Sequence, residues 1–142
     1  MMIYRELDRT GLEVSVLSYG ASGLGNILGT PDEGRGIRTV HTAIDLGINL
    51  VDTSPMYGET RSESLLGKAL RQIPRDSYYL ATKVGRHAGG VSDFSAERIM
   101  QSVDESLGRL ELDYVDILQC HDIDFVPLDQ IVEESLPALR RL

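Results

Sequence analysis

The chain has 142 residues, of which 42% are hydrophobic and 25% are charged, a composition that is ordinary for a soluble globular protein. A chain of this length can bury about 70% of the surface that it exposes when unfolded, so we expect one domain with a hydrophobic core. The formal net charge of -8 and the pI of about 4.8 disfavour binding to nucleic acid or to an anionic membrane. No apolar run approaches the ~20 residues that a membrane helix needs.

Two features predict a reducing, cytosolic location. The N-terminal segment Met1-Met-Ile-Tyr-Arg-Glu-Leu-Asp8 lacks the apolar stretch of a secretory signal peptide. Cys120 is the single cysteine of the sequence, so the chain cannot form an internal disulfide bond.

The first 47 residues predict a hairpin, a strand and a helix. Extended segments from Tyr4 to Ser18 flank a turn at Asp8-Arg-Thr-Gly11, which predicts the hairpin, and Val14 to Tyr19 leads as a strand into the glycine-rich loop Gly20-Ala-Ser-Gly23-Leu-Gly25. Thr30-Pro-Asp-Glu33 predicts a helix start, with Thr30 as the N-cap and Glu33 closing a capping box. Apolar residues at helical spacing predict that the helix continues to Gly47, which ends it: Ile37, Val40, Ala43 and Ile44.

The rest of the chain alternates between short apolar runs and amphipathic segments. The apolar runs predict three further strands, at 48–51, 78–82 and 114–120. The amphipathic segments predict a helix at about 62–71, a helix that begins at Ser95, and a helix at 128–142 that contains Pro137.

Strands that alternate with helices predict βαβ units and a parallel sheet, which leaves two architectures. An open doubly wound sheet should show G-x-G-x-x-G leading directly into its first helix, and Gly23-Leu-Gly25-Asn-Ile-Leu-Gly29 misses that spacing by one residue. A (β/α)₈ barrel places its chemistry on the loops that follow the strands, where the polar residues of this chain lie. We therefore expect a barrel-type α/β fold, although the sequence supplies four of the eight units that a complete barrel needs.

Four polar residues follow or close three successive predicted strands: Asp52, Tyr57, Lys83 and His121. Because neighbouring strands lie about 4.8 Å apart, residues at the same rim of the sheet can touch. Reduction of a carbonyl by hydride leaves an alkoxide, which Tyr57 could protonate if the Lys83 ammonium stabilised the tyrosinate. Asp52 would pair with Lys83, His121 would donate a hydrogen bond to the carbonyl oxygen, and a nicotinamide would supply the hydride.

Each of these residues also has a structural explanation when it is taken alone. Asp52 is typical of a loop or of a helix N-cap, and Tyr57-Gly58 is a common turn pair. His121 alone is more typical of a satisfied core or rim histidine than of a catalyst. Lys83 is harder to explain structurally, because an inward-pointing lysine at a strand end needs a partner.

A metal site is disfavoured by the spacing of the possible ligands. Cys120, His121 and Asp122 are adjacent in a predicted strand end, where successive side chains point to opposite faces. His41 and His87 add no ligand-like spacing.

Several segments of the chain resemble the aldo-keto reductase family. They are Arg9-Thr-Gly-Leu-Glu-Val-Ser15, Gly47-Ile-Asn-Leu-Val-Asp-Thr-Ser-Pro-Met-Tyr-Gly58, Ser62-Glu-Ser-Leu-Leu-Gly-Lys-Ala-Leu70 and Leu112-Asp-Tyr-Val-Asp-Ile-Leu118. The resemblance implies a TIM barrel that is preceded by a hairpin, with NAD or NADP bound across the C-terminal rim. It identifies Asp52, Tyr57, Lys83 and His121 with the family's catalytic tetrad. It places Gly20, Ala21 and Ser22, together with Asp52, in the cofactor site.

Within the family, segments 93–98, 106–118 and 120–124 resemble a sugar dehydrogenase branch. This resemblance implies a small sugar or aldehyde substrate and oxidation of a sugar at C1 to its lactone, with Tyr57 as the general base. It also implies that residues 1–142 are the N-terminal portion of a longer NADP-dependent oxidoreductase domain.

An incomplete barrel leaves a second hypothesis open. The chain could be a truncated, non-catalytic form or an interaction module that lacks a complete cofactor site. Exposed barrel edges would also favour self-association.

Overall fold

A computed structural model describes residues 1–26 and 32–142. Its strands are β1 (Tyr4–Glu6), β2 (Glu13–Ser15), β3 (Tyr19–Gly20), β4 (Leu50–Asp52), β5 (Tyr79–Val84) and β6 (Ile117–Cys120). Its α-helices are α1 (Glu33–Asp45), α2 (Arg61–Leu70), α3 (Ala96–Leu110), α4 (Leu128–Gln130) and α5 (Leu136–Leu139), and a π-helical turn (Ile131–Ser135) joins the last two. Short 3-10 turns lie at Ala21–Gly25, Arg75–Ser77, Ala88–Gly90 and Ile123–Phe125. None of the helices within residues 1–26 and 32–142 has the length and hydropathy of a membrane-spanning helix.

Strands β1 and β2 form the predicted antiparallel hairpin. The Tyr4 hydroxyl donates to the carbonyl of Gly47 at 2.8 Å, and the Asn49 side chain accepts from the Ser15 amide at 2.7 Å. These bonds attach the hairpin beside the beginning of β4. The predicted strand from Val14 to Tyr19 is divided between the hairpin and the parallel sheet, because the Ser15 hydroxyl bonds to the Leu17 carbonyl and the chain bends there.

Strands β3 to β6 form one parallel sheet in the order β3-β4-β5-β6. A doubly wound sheet reverses its strand order at a switch point, whereas this order follows the sequence without reversal. Helix α1 contacts α2, and α2 contacts α3, so consecutive helices lie side by side. The fold is therefore an incomplete (β/α) barrel of the TIM-barrel type, as the sequence predicts.

The hydrophobic core lies between the sheet and the helices. One cluster consists of Ala21, Leu24, Val40, Val51, Leu65, Leu66, Ala69, Leu70, Tyr78, Leu80 and Leu110, and a second consists of Val84, Ile99, Val103 and Ala138. Because side chains alternate along a strand, the residues between the core positions point to the opposite, inner face of the sheet. On that inner face Leu50, Tyr79 and Ile117 are partly exposed, and Gln119 is exposed.

Helix α1 begins later than the sequence predicts. Asp32, rather than Thr30, is its N-cap, and the Asp32 carboxylate accepts from the Gly34 amide at 2.9 Å. The Thr30-Pro31 part of the prediction lies outside the described residues. The predicted start of the third helix at Ser95 is confirmed to within one residue: α3 begins at Ala96, and Ser95 is its N-cap, with a hydroxyl that accepts from the Arg98 amide.

Pro137 changes the helical segment that the sequence predicts at 128–142. Proline has no amide hydrogen, and in a regular α-helix its ring would clash with the carbonyl of Glu133, four residues earlier. The chain forms a π-helical turn at Ile131–Ser135, in which the Leu136 amide bonds to the Ile131 carbonyl, five residues earlier. This wider turn lets the helical path continue through Leu139.

The exposed inner face of the sheet predicts self-association of the 142-residue chain. Within the described residues, β3 and β6 have one neighbouring strand each, so each leaves an unpaired edge next to partly exposed apolar side chains. Sedimentation velocity over a hundredfold range of concentration should show the weight-average sedimentation coefficient rising with concentration. A folded monomer at every concentration would contradict this prediction.

Because α2 packs closely on α3, we expect a single methyl group added at this contact to destabilise the folded chain. A Cβ at Gly67 would lie 2.7 Å from the carbonyl oxygens of both Arg109 and Leu110, whereas a Cβ at Gly108 would meet nothing within 4 Å. Gly67→Ala should lower the free energy of unfolding by about 1–3 kcal/mol. Gly108→Ala, the matched control, should leave it unchanged or raise it by up to about 1 kcal/mol, because alanine favours helix. Urea unfolding followed by circular dichroism measures both, and equal midpoints in the two variants would contradict the packing argument.

Candidate active site

The ends of adjacent parallel strands bring the four predicted catalytic residues to one rim. Asp52 ends β4, Lys83 is the second-to-last residue of β5, and His121 directly follows β6. Tyr57 lies in the turn between β4 and α2. The alternation of side chains that places Asp52 and Lys83 on the inner face therefore also places them next to each other.

The Lys83 ammonium is fully hydrogen-bonded inside the rim. Its Nζ lies 2.7 Å from each carboxylate oxygen of Asp52 and 2.8 Å from the carbonyl oxygen of Thr53. These contacts use all three donors of the ammonium. The Lys83 side chain is only 11% exposed, so these oxygens offset the cost of removing a charge from water.

Tyr57 lies between the cation and the imidazole. The Lys83 Nζ is 4.9 Å from the centroid of the Tyr57 ring, within the range of a cation–π contact. The Tyr57 and His121 rings meet edge to face, with centroids 5.7 Å apart and an angle of 86° between their planes. The structure thus brings all four residues into one continuous cluster.

Ser54 orients the His121 ring. The Ser54 hydroxyl lies 3.0 Å from His121 Nδ1, and the same oxygen accepts from the Met56 amide at 3.2 Å. When the hydroxyl donates to Nδ1, the imidazole carries its proton on Nε2 and can donate it to a bound oxygen atom. Burial lowers the pKa of His121, and the cations Lys83 and Arg86 lower it further against the opposing effect of Asp122. The ring is therefore neutral near pH 7.

Sequence reasoning missed three residues that shape this rim: Thr53, Ser54 and Arg86. Thr53 and Ser54 directly follow Asp52, and this position next to a predicted catalytic residue is the one sequence feature that could have indicated them. The guanidinium of Arg86 lies 3.4 Å from the Asp122 carboxylate and stacks 3.8 Å above the Phe125 ring. No spacing in the sequence indicates that contact, because it joins two loops.

The predicted cofactor residues lie at the same rim. Gly20 ends β3 and is the register partner of Asp52. Ala21 is buried, with its carbonyl accepting from the Ser62 hydroxyl at 2.7 Å, and Ser22 is half-buried. A Cβ at Gly20 would meet nothing within 4 Å, so there is open space at this point of the rim. In residues 1–26 and 32–142, no group of three or more His, Cys, Asp or Glu side chains could hold a metal ion.

The fold is a segment of a TIM-type α/β barrel with a polar rim at its strand ends, and comparison with known proteins gives the family. The model of the aldo/keto reductase family matches residues 16–142. The chain belongs to the aldo/keto reductase family.

Among curated relatives, the chain is 56% identical over 140 residues to L-galactose dehydrogenase from Arabidopsis thaliana, a match that covers 97% of this chain and 44% of the relative. It is 32% identical over 155 residues to D-threo-aldose 1-dehydrogenase from a Pseudomonas species, with coverage of 93% and 47%. The chain therefore spans a little under half the length of these relatives.

Solved structures show the same fold. An aldo-keto reductase from Bacillus halodurans in its holo form matches with a TM-score of 0.86 at 35% identity, covering 100% of this chain and 46% of that protein. The glycerol dehydrogenase from Gluconobacter oxydans matches with a TM-score of 0.78 at 34% identity, with coverage of 99% and 44%.

The buried histidines predict that the protein loses stability in mild acid. Burial lowers the pKa values of both His87 and His121 below the usual 6.5, so the unfolded chain binds more protons as the pH falls below that value. The stability that depends on these two neutral histidines is fully present above the unfolded-state pKa of about 6.5. It declines as the pH falls from that value through the lower pKa values of the folded state. Urea unfolding at pH 7.5 and 5.5 should show a smaller loss in His87→Asn and in His121→Asn than in the parent chain. The same loss in all three proteins would contradict the assignment.

Proposed function

We propose that this chain carries the catalytic rim of an NAD(P)-dependent oxidoreductase that oxidises a sugar at C1. The observation that carries the proposal is the continuous cluster of Asp52, Lys83, Tyr57 and His121 at the strand ends. A phenol, an ammonium, a carboxylate and an imidazole supply the proton-transfer groups that such a reaction needs.

In sugar oxidation, Tyr57 acts as the general base that removes the proton from the C1 hydroxyl. A bound oxidised nicotinamide would supply the hydride acceptor for C1, which no side chain can provide. Lys83 stabilises the tyrosinate electrostatically, and Asp52 holds Lys83 in place through both carboxylate oxygens. His121, neutral because burial lowers its pKa, donates a hydrogen bond from Nε2 to the reacting oxygen and orients it. In the reverse direction Tyr57 returns the proton as a general acid.

Relatives of this chain support an aldose as the substrate. L-galactose dehydrogenase, D-threo-aldose 1-dehydrogenase and the D-arabinose 1-dehydrogenase of Saccharomyces cerevisiae all carry a sugar in their names, and the last is 41% identical over 104 residues. The proposed substrate is L-galactose, which would be oxidised to its 1,4-lactone as in ascorbate biosynthesis. The proposed location is the cytosol.

The cofactor would be held at the nicotinamide end by this chain. Gly20, Ala21 and Ser22 form the first loop of the rim beside Asp52, where the open space at Gly20 fits the approach of a flat ring. We place residues 1–142 as the N-terminal portion of a reductase domain, since the relatives are about twice as long. Further βα units would then supply most of the pyrophosphate and adenosine site and would set the preference for NAD or NADP.

One observation favours a non-catalytic role for the chain by itself. The inner face of the sheet, which a complete barrel would bury, leaves Leu50, Tyr79 and Ile117 partly exposed. A chain with this open face would act as an interaction module that binds a complementary surface, with the rim residues retained but unused.

Two substitutions at the rim test the catalytic proposal. Tyr57→Phe removes the proton acceptor and should lower NAD-dependent oxidation of L-galactose roughly 10²–10⁴-fold. Lys83→Met should abolish it. Tyr114→Phe is the matched control, because Tyr114 is an exposed tyrosine that stacks on Arg75 away from the rim and should leave the rate unchanged.

The assay is the increase in NADH absorbance, with circular dichroism to show that each variant is folded. Equal rates in Tyr57→Phe and Tyr114→Phe would contradict the assigned role of Tyr57. A folded parent chain with neither NAD(H) binding nor L-galactose oxidation would reject the catalytic proposal in favour of the interaction module.

A further inference from the structure

Two loops of the rim touch through their backbones at a pair of glycines. Gly25 ends the 3-10 turn that follows β3, and Gly58 directly follows Tyr57 in the turn after β4. A Cβ at Gly25 would lie 2.7 Å from the carbonyl carbon of Tyr57 and 2.8 Å from its carbonyl oxygen. A Cβ at Gly58 would lie 1.9 Å from the carbonyl oxygen of Gly25. Neither position has room for a side chain.

The atoms that a Gly25 side chain would meet belong to the backbone, so rotating a side chain cannot relieve the contact. All three of the nearest atoms are backbone atoms of Tyr57 and Gly58. The backbone of Gly25 itself does not adopt the left-handed conformation, so alanine could take the same φ without strain. Gly58, by contrast, has a φ of +60°. A methyl group at Gly25 would therefore disturb the contact between the loops without also straining the backbone, as it would at Gly58.

A buried chain of hydroxyl groups holds the two loops together. The Ser62 hydroxyl, in the first turn of α2, donates to the carbonyl of Ala21 at 2.7 Å. The Thr53 and Ser62 hydroxyls lie 2.9 Å apart, and the carbonyl of the same Thr53 accepts from Lys83. Ser62 and Thr53 are both fully buried. The loop after β3 is thus tied to the residues that hold Lys83 and cannot move away from Tyr57 freely.

We propose that Gly25 is a positioning residue for Tyr57. The missing side chain at Gly25 lets the loop after β3 press against the Tyr57–Gly58 peptide, and Ser62 keeps that loop in place. This contact sets where the Tyr57 ring lies between the Lys83 ammonium and the His121 ring. The catalytic consequence rests on the function proposed above, whereas the positioning itself does not.

The test compares two glycines of the same 3-10 turn. Gly25→Ala inserts a methyl group into the contact, and Gly23→Ala inserts one where nothing lies within 4 Å. The chain has six tyrosines, so tyrosine labelled with ¹³C at the ring carbon Cζ alone gives six NMR signals, and the signal that is lost in Tyr57→Phe is that of Tyr57. Gly25→Ala should shift the Tyr57 signal and leave the other five in place, and Gly23→Ala should leave all six unchanged.

An unmoved Tyr57 signal in folded Gly25→Ala, or equal shifts in the two variants, would overturn the proposal. If Gly25→Ala does not fold, Ser62→Ala provides the second arm, because it removes the hydroxyl tie without adding atoms. Ser64→Ala is its control, since among residues 1–26 and 32–142 the Ser64 hydroxyl bonds only to the carbonyl of Thr60 in its own turn. Ser62→Ala should shift or broaden the Tyr57 signal and Ser64→Ala should not, and an unmoved signal in Ser62→Ala would overturn the proposal.

Turnover separates the failure of positioning from the failure of the proposed function. In an active parent chain, Gly25→Ala should lower kcat for sugar oxidation about 10²-fold, the cost of misplacing a reacting group by about 1 Å. Gly23→Ala should leave kcat unchanged. A shifted Tyr57 signal with unchanged kcat would overturn the catalytic consequence. A parent chain without turnover would reject the proposed function, while the NMR signals would still decide the positioning.

Discussion

The ion pair between Lys83 and Asp52 is the interaction on which the rest of the rim depends. A lysine that is nine-tenths buried is tolerated only if its charge is neutralised and its donors are used. Both carboxylate oxygens of Asp52 and the Thr53 carbonyl meet these needs. Removing the Asp52 carboxylate would leave the largely buried Lys83 ammonium without compensation, and because Asp52 is 31% exposed the cost would fall below the ~3–5 kcal/mol of a fully buried pair. The backbone ladder sets the spacing of β4 and β5, and the ion pair holds the Lys83 ammonium in place 4.9 Å from the centroid of the Tyr57 ring.

The parallel sheet explains why so much of this arrangement could be predicted from the sequence. Asp52, Lys83 and His121 lie far apart in the chain, but each stands at the end of a predicted strand, and parallel neighbours bring such ends to one rim. The spacing of the apolar residues gave the order of strands and helices, since each helix buries one stripe against the sheet. The strand order without a reversal then distinguishes a barrel from a doubly wound sheet.

The contacts that escaped prediction depend on loop backbone rather than on periodic patterns. Glu59, Thr60 and Asp122 adopt positive φ angles, which no rule of composition assigns to these residue types at these positions. The hydrogen bond between Ser54 and His121 joins residues 67 positions apart, which follow two strands that are not neighbours in the sheet. The observed helix boundaries differ from the predicted ones for similar local reasons. Asp32 caps α1, and a π-helical turn accommodates Pro137.

We propose that the rim at the carboxyl ends of β3 to β6 receives the nicotinamide end of a dinucleotide. The most direct measurement is a titration of the ¹⁵N-labelled chain with NAD⁺ and with NADP⁺, followed through backbone amide NMR shifts. The account predicts saturable shifts that cluster at 20–22, 52–57, 83–86 and 121, with the β1–β2 hairpin unchanged. Shifts confined to the hairpin side of the sheet, or none at millimolar concentrations of both dinucleotides, would contradict it.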